Sequence, residues 1–432
     1  MFGGGKFKPR HGKQNSVTFL PLPATFNRTL HRRNIPQILF ISLIIWYMFN
    51  PLSFITAMFK TPVTTAYPTP HALTTRHTVE TNSKYIYPHV EDVPTLKQIT
   101  IDKLFKVSRV RDSNFPEIEK TIYSSLNSMD DPDPAIQKTK EDQENAVSDI
   151  SKVINNFKNL DKVIYKPKSG SIADYPEVVI VTALDYEKYS FAALTKIIQN
   201  RVDYGHFQNY GVYVRWVNEF LPIINSINNL HDKEKSKWVR LYAIQAARFA
   251  YPHAKWFWYL DQSGFIMDMT INIQEYMLNP SSLEPIMMRE QPLVPPNGAI
   301  KTYKSVRAES IKLIVTQSET MIETASFLVK NDHIGKSIIE ILGDRLYLNY
   351  ASFPYGPDSA LTHILQWHPF ILSKTSVVPT KTISSYHRFR DDTDEKFVYS
   401  EGDFVVQWAD CKSEICEQVL DAYHPKIKRP NQ

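Results

Sequence analysis

The stretch KWFWYLDQSGFIMD (Lys255–Asp268) sets five aromatic or aliphatic residues in a row, Trp256 to Leu260, and ends the run on an acid. No polar residue interrupts the run, so it reads as a strand buried on both faces of a sheet. Asp261 then stands where the strand leaves the sheet, the edge at which open α/β sheets bind ligands. A second acid two residues on would complete a carboxylate pair able to hold a divalent cation against a diphosphate. That position is Ser263.

Working outward, the chain alternates strand and helix patterns. EVVIVTAL (177–184) is a continuous apolar strand, and YSFAALTKIIQNRVDYGHFQNY (189–210) spaces Phe191, Leu194, Ile197 and Ile198 as a helix does. GVYVRWV (211–217) is a strand, and KSKWVRLYAIQAARFAYP (235–252) is an amphipathic helix stopped before Pro252. This order predicts an α/β fold, a mostly parallel sheet flanked by crossover helices. Neither a dinucleotide glycine fingerprint nor a P-loop follows any of these strands. Trp256 and Trp258 read as core. His206, His253, His363 and His368 lie beside aromatics, where packing explains them better than metal ligation.

The 432 residues, 43% of them hydrophobic, are enough for one large domain or two ordinary ones. The net charge of +5 is unevenly placed: residues 1–34 carry Lys6, Lys8, Arg10, Lys13, Arg28, Arg32 and Arg33, and the first acid is Glu80. A basic tail can mean nucleic acid, but here an apolar stretch follows. Ile38–Phe59 holds 22 residues without a charge, the length that spans a bilayer core of ~30 Å. Arg32 and Arg33 precede it and only Lys60 follows closely, so the positive-inside rule puts the N-terminus in the cytosol and the rest in a lumen. The expected organisation is a cytosolic tail (1–34), a type II anchor (35–59), a luminal stem and linker (60–170) and a folded domain (171–432) starting near Ser171. Thr and Pro dominate residues 61–81, an extended composition. Residues 85–110 show strand-like alternation, and the acidic segment 129–150 reads as a loop or a solvated helix. The N-x-S/T triplet Asn27-Arg28-Thr29 falls on the cytosolic side, so no N-glycan is expected. Two cysteines, Cys411 and Cys416, are too few for a zinc site; they read as a short-loop disulfide in an oxidising compartment, or as two buried thiols.

Several stretches together resemble a known family: YPHVEDVPTLKQIT, PEVVIVTALDYE, QNRVDYGHFQNYGVYVRW, WFWYLDQSGFIMD, SFLVKND, SALTHILQWHP and YSEGDFVVQWADC, from Tyr87 to Cys411. With the basic tail, anchor and Thr/Pro stem, they are similar to glycosyltransferase family 34, the fungal galactosyl/mannosyltransferase group. Within it they resemble the α-1,6-mannosyltransferase subunits of mannan polymerase II. The resemblance implies a GT-A-like fold, a Golgi membrane location and transfer from a nucleotide-sugar with retention of the α-configuration. It further implies GDP-mannose as donor, a mannan acceptor glycan on N-linked chains, and sister mannosyltransferase subunits as partners. It puts Val181, Thr182 and Asp185 near the donor nucleotide. Asp261 becomes the first acid of an Asp-x-Asp and the metal ligand, with Ser263 in the second place. Asp358 would be the catalytic residue, at a helix start (Asp358-Ser359-Ala360) bordering the sugar or acceptor, and Ala325–Asn331 would form an acceptor-side strand.

Two positions depart from the family pattern. The second acid is Ser263, and the histidine of a motif like DFVVHFAGC is Gln407. A hydroxyl and an amide are weaker partners for Mn²⁺ than carboxylate and imidazole, so any Mn²⁺ is expected to bind weakly. Asp268, seven residues beyond Asp261, is a poor substitute ligand. Two readings follow: a working mannosyltransferase, with an α-galactosyltransferase of the same family as the other activity, or a non-catalytic partner in the same complex.

Overall fold

The computed structural model describes residues 35–49, 78–111, 119–125, 134–145, 153–154, 157, 162–224, 232–348, 353–389, 394–409 and 411–430. The chain divides into two units, Met1–Thr69 and Pro70–Gln432. Among the described residues of the first, the helix Ile35–Phe49 exposes Leu39, Phe40, Leu43 and Trp46. No helix among the described residues is long and apolar enough to cross a membrane. The basic tail, the second part of the expected anchor (50–59) and the stem as far as residue 77 lie outside the described residues.

The second unit is built from β1 (Tyr85–Ile86), β2 (Val178–Leu184), α1 (Phe191–Gln208), β3 (Gly211–Trp216), α2 (Asp232–Ala250), β4 (Trp256–Leu260), β5 (Gly264–Ile266), β6 (Leu313–Gln317), β7 (Ile322–Lys330), α3 (His333–Leu342), α4 (Pro357–Trp367), β8 (Thr375–Val378), β9 (Ser385–Tyr386), β10 (Val405–Gln407) and α5 (Ser413–Tyr423). Seven strands form the main sheet in the order β8-β6-β7-β4-β2-β3-β1. The pairings β1·β3, β2·β3, β2·β4 and β6·β8 are parallel. β7 runs antiparallel to both β4 and β6, so the sheet is mixed. This helix-flanked sheet fits a GT-A-like domain. A smaller sheet, β9-β10-β5, stands beside the end of β4.

The period-2 alternation of strand side chains divides the apolar run of β2 between two cores. Val178, Ile180 and Leu184 pack with Leu194, Ile197 and Ile198 of α1 and with the small sheet. Val179, Val181 and Ala183 face α2, whose Val239 and Ala243 share this second core with Leu361 and Ile364 of α4. β4 is covered on both faces, as its uninterrupted apolar sequence requires. Ser190 caps α1, its Oγ accepting from Ala193 N at 3.3 Å.

The segment before Ser171 contributes more to the packed domain than its alternation suggests. β1 is the edge strand of the main sheet, and Val90, Val93, Leu96 and Phe105 are buried in the core on the α1 side. Its pattern is helical in part. Val93–Gln98 is a helix begun by Pro94, with Val93 and Leu96 on its buried side. Phe105–Arg111 then pairs antiparallel with Glu119–Ser125. The acidic segment contains a helix, Pro134–Asn145. Cys411 and Cys416 form a disulfide, with Cα atoms 5.5 Å apart, at the start of α5.

Candidate active site

The turn leaving β4 is held by short, local bonds. Asp261 N donates to Ala325 O of β7 at 2.8 Å, and Asp261 Oδ1 accepts from Ser263 N at 3.0 Å. Beneath it lies the fully buried Arg201 of α1. Its Nη2 donates to Asp261 O at 2.7 Å and its Nε to Thr182 Oγ1 at 3.3 Å, while Thr182 Oγ1 donates to Leu260 O at 2.8 Å. Burial lowers the Arg201 pKa to about 9. Thr182 is therefore a scaffold residue under the turn, buried away from solvent.

Asp185 stands on the loop after β2. Its N–H donates to Gln262 Oε1 at 2.8 Å, which ties that loop to the Asp261 turn. Burial pushes the Asp185 carboxyl up, against the Glu187 and Lys188 amides and the Lys188 charge.

Asp261 is paired with an arginine that sequence reading did not single out. Arg240 of α2, itself buried, sends Nη2 to Asp261 Oδ2 at 3.1 Å and Nη1 to Thr324 Oγ1 at 3.0 Å. The same Nη1 lies 3.7 Å from Asp358 Oδ1, and the guanidinium stands 6.0 Å from the Tyr259 ring centroid. Asp358, in the first turn of α4, accepts from Thr324 N at 2.7 Å and from Thr324 Oγ1 at 2.5 Å. Gly356 delivers this turn: its φ of +61° suits glycine, and a Cβ there would lie 3.4 Å from Trp238 Nε1. The structure thus brings Asp261 and Asp358, far apart in sequence, onto one guanidinium. Burial alone would raise the Asp261 carboxyl, but the charges of Arg240 and Lys188 and the Ser263 amide outweigh it and hold it below the usual carboxylate range. Burial alone would lower Arg240, yet Asp261 and Asp358 hold it above its ordinary value. Glu323 of β7, half-buried beside this group, is pushed up to about 7, first by burial and then by the charge of Asp358.

A clue to Arg240 was present in the sequence: an arginine set between Trp238-Val239 and Leu241-Tyr242 has apolar neighbours on both sides, and an arginine buried among them needs acids. Glu323 carries no comparable signal.

Ser263 is buried. Its Oγ lies 3.0 Å from the Tyr189 hydroxyl and accepts from Lys188 Nζ at 3.4 Å. Gln407 ends β10 opposite Gly264, and a Cβ on Gly264 would fall 2.8 Å from Gln407 Cδ. The Gln407 amide is buried, and neither its oxygen nor its nitrogen is hydrogen-bonded among the described residues. Asp268 is turned elsewhere, bonded to Thr270 N at 2.9 Å and to Lys428 Nζ at 2.9 Å. The histidines do pack: His253 is edge-on to Tyr175, His363 lies against Phe353, and His368 meets the Tyr347 hydroxyl at 3.2 Å. A cleft of about 370 Å³ opens at the β6–β7 hairpin, lined by Gln317, Ser318, Glu319, Lys396 and Phe397 among others. None of Asp261, Ser263 or Asp358 lines it.

These residues do not fit a divalent cation. Hard cations take several oxygen ligands, carboxylates foremost. Asp261 is the one carboxylate of the turn, and both its oxygens are engaged, by Arg240 and by the Ser263 amide. Among the described residues no three His, Cys, Asp or Glu side chains gather as a metal site.

Acids and cations gathered outside the carboxyl end of the central strands of an α/β sheet stand where such folds bind their ligands. Residues 174–417, more than half of the chain, match the model of the galactosyl transferase GMA12/MNN10 family, and the chain belongs to that family. It is 32% identical over 365 residues to the probable alpha-1,6-mannosyltransferase MNN11 of Saccharomyces cerevisiae, covering 81% of this chain and 82% of that one. A second S. cerevisiae relative, the probable alpha-1,6-mannosyltransferase MNN10, is 23% identical, covering 50% and 54% respectively. The probable alpha-1,2-galactosyltransferase gmh1 of Schizosaccharomyces pombe is 26% identical, covering 58% of this chain and 74% of its own.

Proposed function

We propose that this glycosyltransferase moves a mannosyl group from GDP-mannose to the 6-hydroxyl of a mannan acceptor, extending the α-1,6 backbone of N-linked glycans. It would act as one subunit among sister mannosyltransferases on a Golgi membrane, with its C-terminal domain luminal. The observation that carries this reading is the similarity to MNN11, which spans four-fifths of both chains. The site supports it, because buried ion pairs stabilise a fold poorly compared with apolar packing. The cluster Arg240–Asp261–Asp358 and the raised Glu323 are the kind of perturbed group that gathers at functional sites.

In the transfer, the acceptor oxygen bonds to C1 of the hexose as the C1–O bond to the diphosphate breaks. The bonding pair leaves with the nucleoside diphosphate, and the proton of the acceptor hydroxyl passes to the departing diphosphate oxygen. Asp185 and the Asp261 turn would border the nucleotide and sugar. Arg240 fixes the Asp261 and Asp358 carboxylates beside the reacting centre. The leaving diphosphate needs positive or hydrogen-bonding partners.

A second reading has its own observation. Ser263 and Gln407 stand where the family resemblance expects a carboxylate and an imidazole, which favours a partner subunit that keeps the fold without the chemistry. The deciding experiment incubates the purified full-length chain, alone, with GDP-mannose or UDP-galactose and an α-1,6-mannobiose acceptor, with products read by mass spectrometry. A trisaccharide from GDP-mannose supports the proposal, and one from UDP-galactose alone would replace mannose by galactose. No product with either donor, restored only by adding a sister subunit with its own site inactivated, would still assign the chemistry to this chain. No product even then would favour the partner reading.

A further inference from the structure

We propose that the ammonium of Lys188, seated on Ser263, takes the place of a divalent cation as the partner of the donor's diphosphate, so that this chain binds a nucleoside diphosphate without metal. The inference rests on the donor-site reading above.

Proton accounting at Ser263 carries it. The indole Nε1 of Trp408 can only donate, and it reaches the Tyr189 hydroxyl at 3.1 Å. The Tyr189 oxygen is therefore an acceptor there, and its own hydrogen is available to the Ser263 Oγ, 3.0 Å away. Lys188 Nζ also donates to that Oγ, at 3.4 Å. A hydroxyl oxygen has two lone pairs, and both are then taken. With the Tyr189 hydrogen turned to the Ser263 Oγ, no lone pair remains there for a metal, and the Ser263 hydrogen is free to donate. Ser263 is wired as a donor toward an anion.

Lys188 completes the same logic. It is half-buried on the Asp185–Ser190 loop, and the Asp185 amide pins that loop to Gln262 of the Asp261 turn. Among the described residues it has no carboxylate within ion-pair distance, although its charge acts at longer range on Asp185 and Asp261, and an ammonium has three hydrogens, one of them spent on Ser263. Arg240 cannot serve instead, because its charge is taken by Asp261 and Asp358. The Gln407 amide, buried and without a hydrogen bond among the described residues, can supply a further uncharged donor from the adjoining strand. A positive charge, a hydroxyl donor and an amide donor are the groups that bind phosphate oxygens.

The test is calorimetric titration of the full chain with GDP and with UDP, once in EDTA and once with excess Mn²⁺. At least one nucleotide should bind with an affinity that differs by less than about twofold between the two conditions. Lys188→Met should weaken that binding by about tenfold or more, as expected for a lost charge-assisted bond, and Lys188→Arg should retain most of it. Far-ultraviolet circular dichroism verifies that the variants are folded. Binding that Mn²⁺ tightens about tenfold overturns the inference while leaving the donor site standing, and needs no variant to be seen. A folded Lys188→Met chain that binds like the parent also overturns it. Failure of both nucleotides in both conditions overturns this inference and the donor-site reading together.

Discussion

Arg240 Nη2 lies 3.1 Å from Asp261 Oδ2, and both side chains are largely out of solvent. Breaking a buried pair from one side strands a charge, which costs roughly 3–5 kcal/mol. Arg240→Met is therefore expected to destabilise the domain by about that amount. Pairing it with Asp261→Asn should recover part of the loss, because one of the two stranded carboxylates, the other being Asp358, is then gone. A double-mutant cycle by chemical denaturation measures the coupling. Strictly additive effects would show that the two residues do not sense each other.

Glu323 supplies a pH dependence of the opposite sense to an ordinary ion-paired acid. Its folded pKa is raised from 4.5 to about 7, so the folded state prefers it protonated. The stability it contributes is full below its ordinary value and is lost as pH rises through about 7. Glu323→Gln should therefore melt close to the parent at pH ~5 and at a higher temperature than the parent at pH ~8. Thermal melts across that range read it directly, and a Gln variant that gains nothing at the alkaline end would reject the assignment.

Much of this site could be read from the sequence because its carriers sit at element ends. Asp261 follows an unbroken apolar strand, a local pattern, whereas Asp358 is pointed to by the family resemblance. The helices at 191–208 and 232–250 and the strands at 178–184, 211–216 and 256–260 fall where periodicity puts them. What periodicity could not give is pairing. The antiparallel β7 between β4 and β6 is a long-range choice, and it is β7 that brings Thr324 and Glu323 to Arg240. Nor does alternation fix where a short strand docks, which is why Tyr85–Ile86 could be assigned to the linker although it completes the sheet. Arg240 has apolar sequence neighbours, but its acid partners Asp261 and Asp358 lie on other elements, so this pairing too is long-range.

The bridge between Cys411 and Cys416 closes a small loop at the start of α5, with Cys416 buried in the core and Cys411 packed against it. In the chain-entropy model so short a loop contributes on the order of 2 kcal/mol. Cys411→Ser with Cys416→Ser should lower stability by about that much, with some further loss from placing a hydroxyl in the apolar site of Cys416. Denaturation with and without reductant should converge for the double variant and differ for the parent. A parent indifferent to reductant would mean that the bridge carries no stability.

The replaced ligand positions can also be tested by rebuilding them, and the order of the changes matters. Ser263→Asp alone puts a carboxylate against Lys188, whose ammonium already reaches the serine oxygen. The new pair should form first and neutralise the charge that a diphosphate needs, so this single change should weaken GDP binding and bring no Mn²⁺ dependence. Adding Lys188→Met frees the carboxylate, and Gln407→His adds an imidazole, a ligand that Mn²⁺ accepts. Gln407 packs flat on Gly264, which has no Cβ to obstruct a ring there. The triple variant should then bind GDP more tightly with Mn²⁺ than in EDTA, by about tenfold or more. Calorimetry on the single and triple variants separates the contributions. Mn²⁺ dependence already present in Ser263→Asp would show that Lys188 does not hold position 263, and with it the pairing between that lysine and that serine would fail.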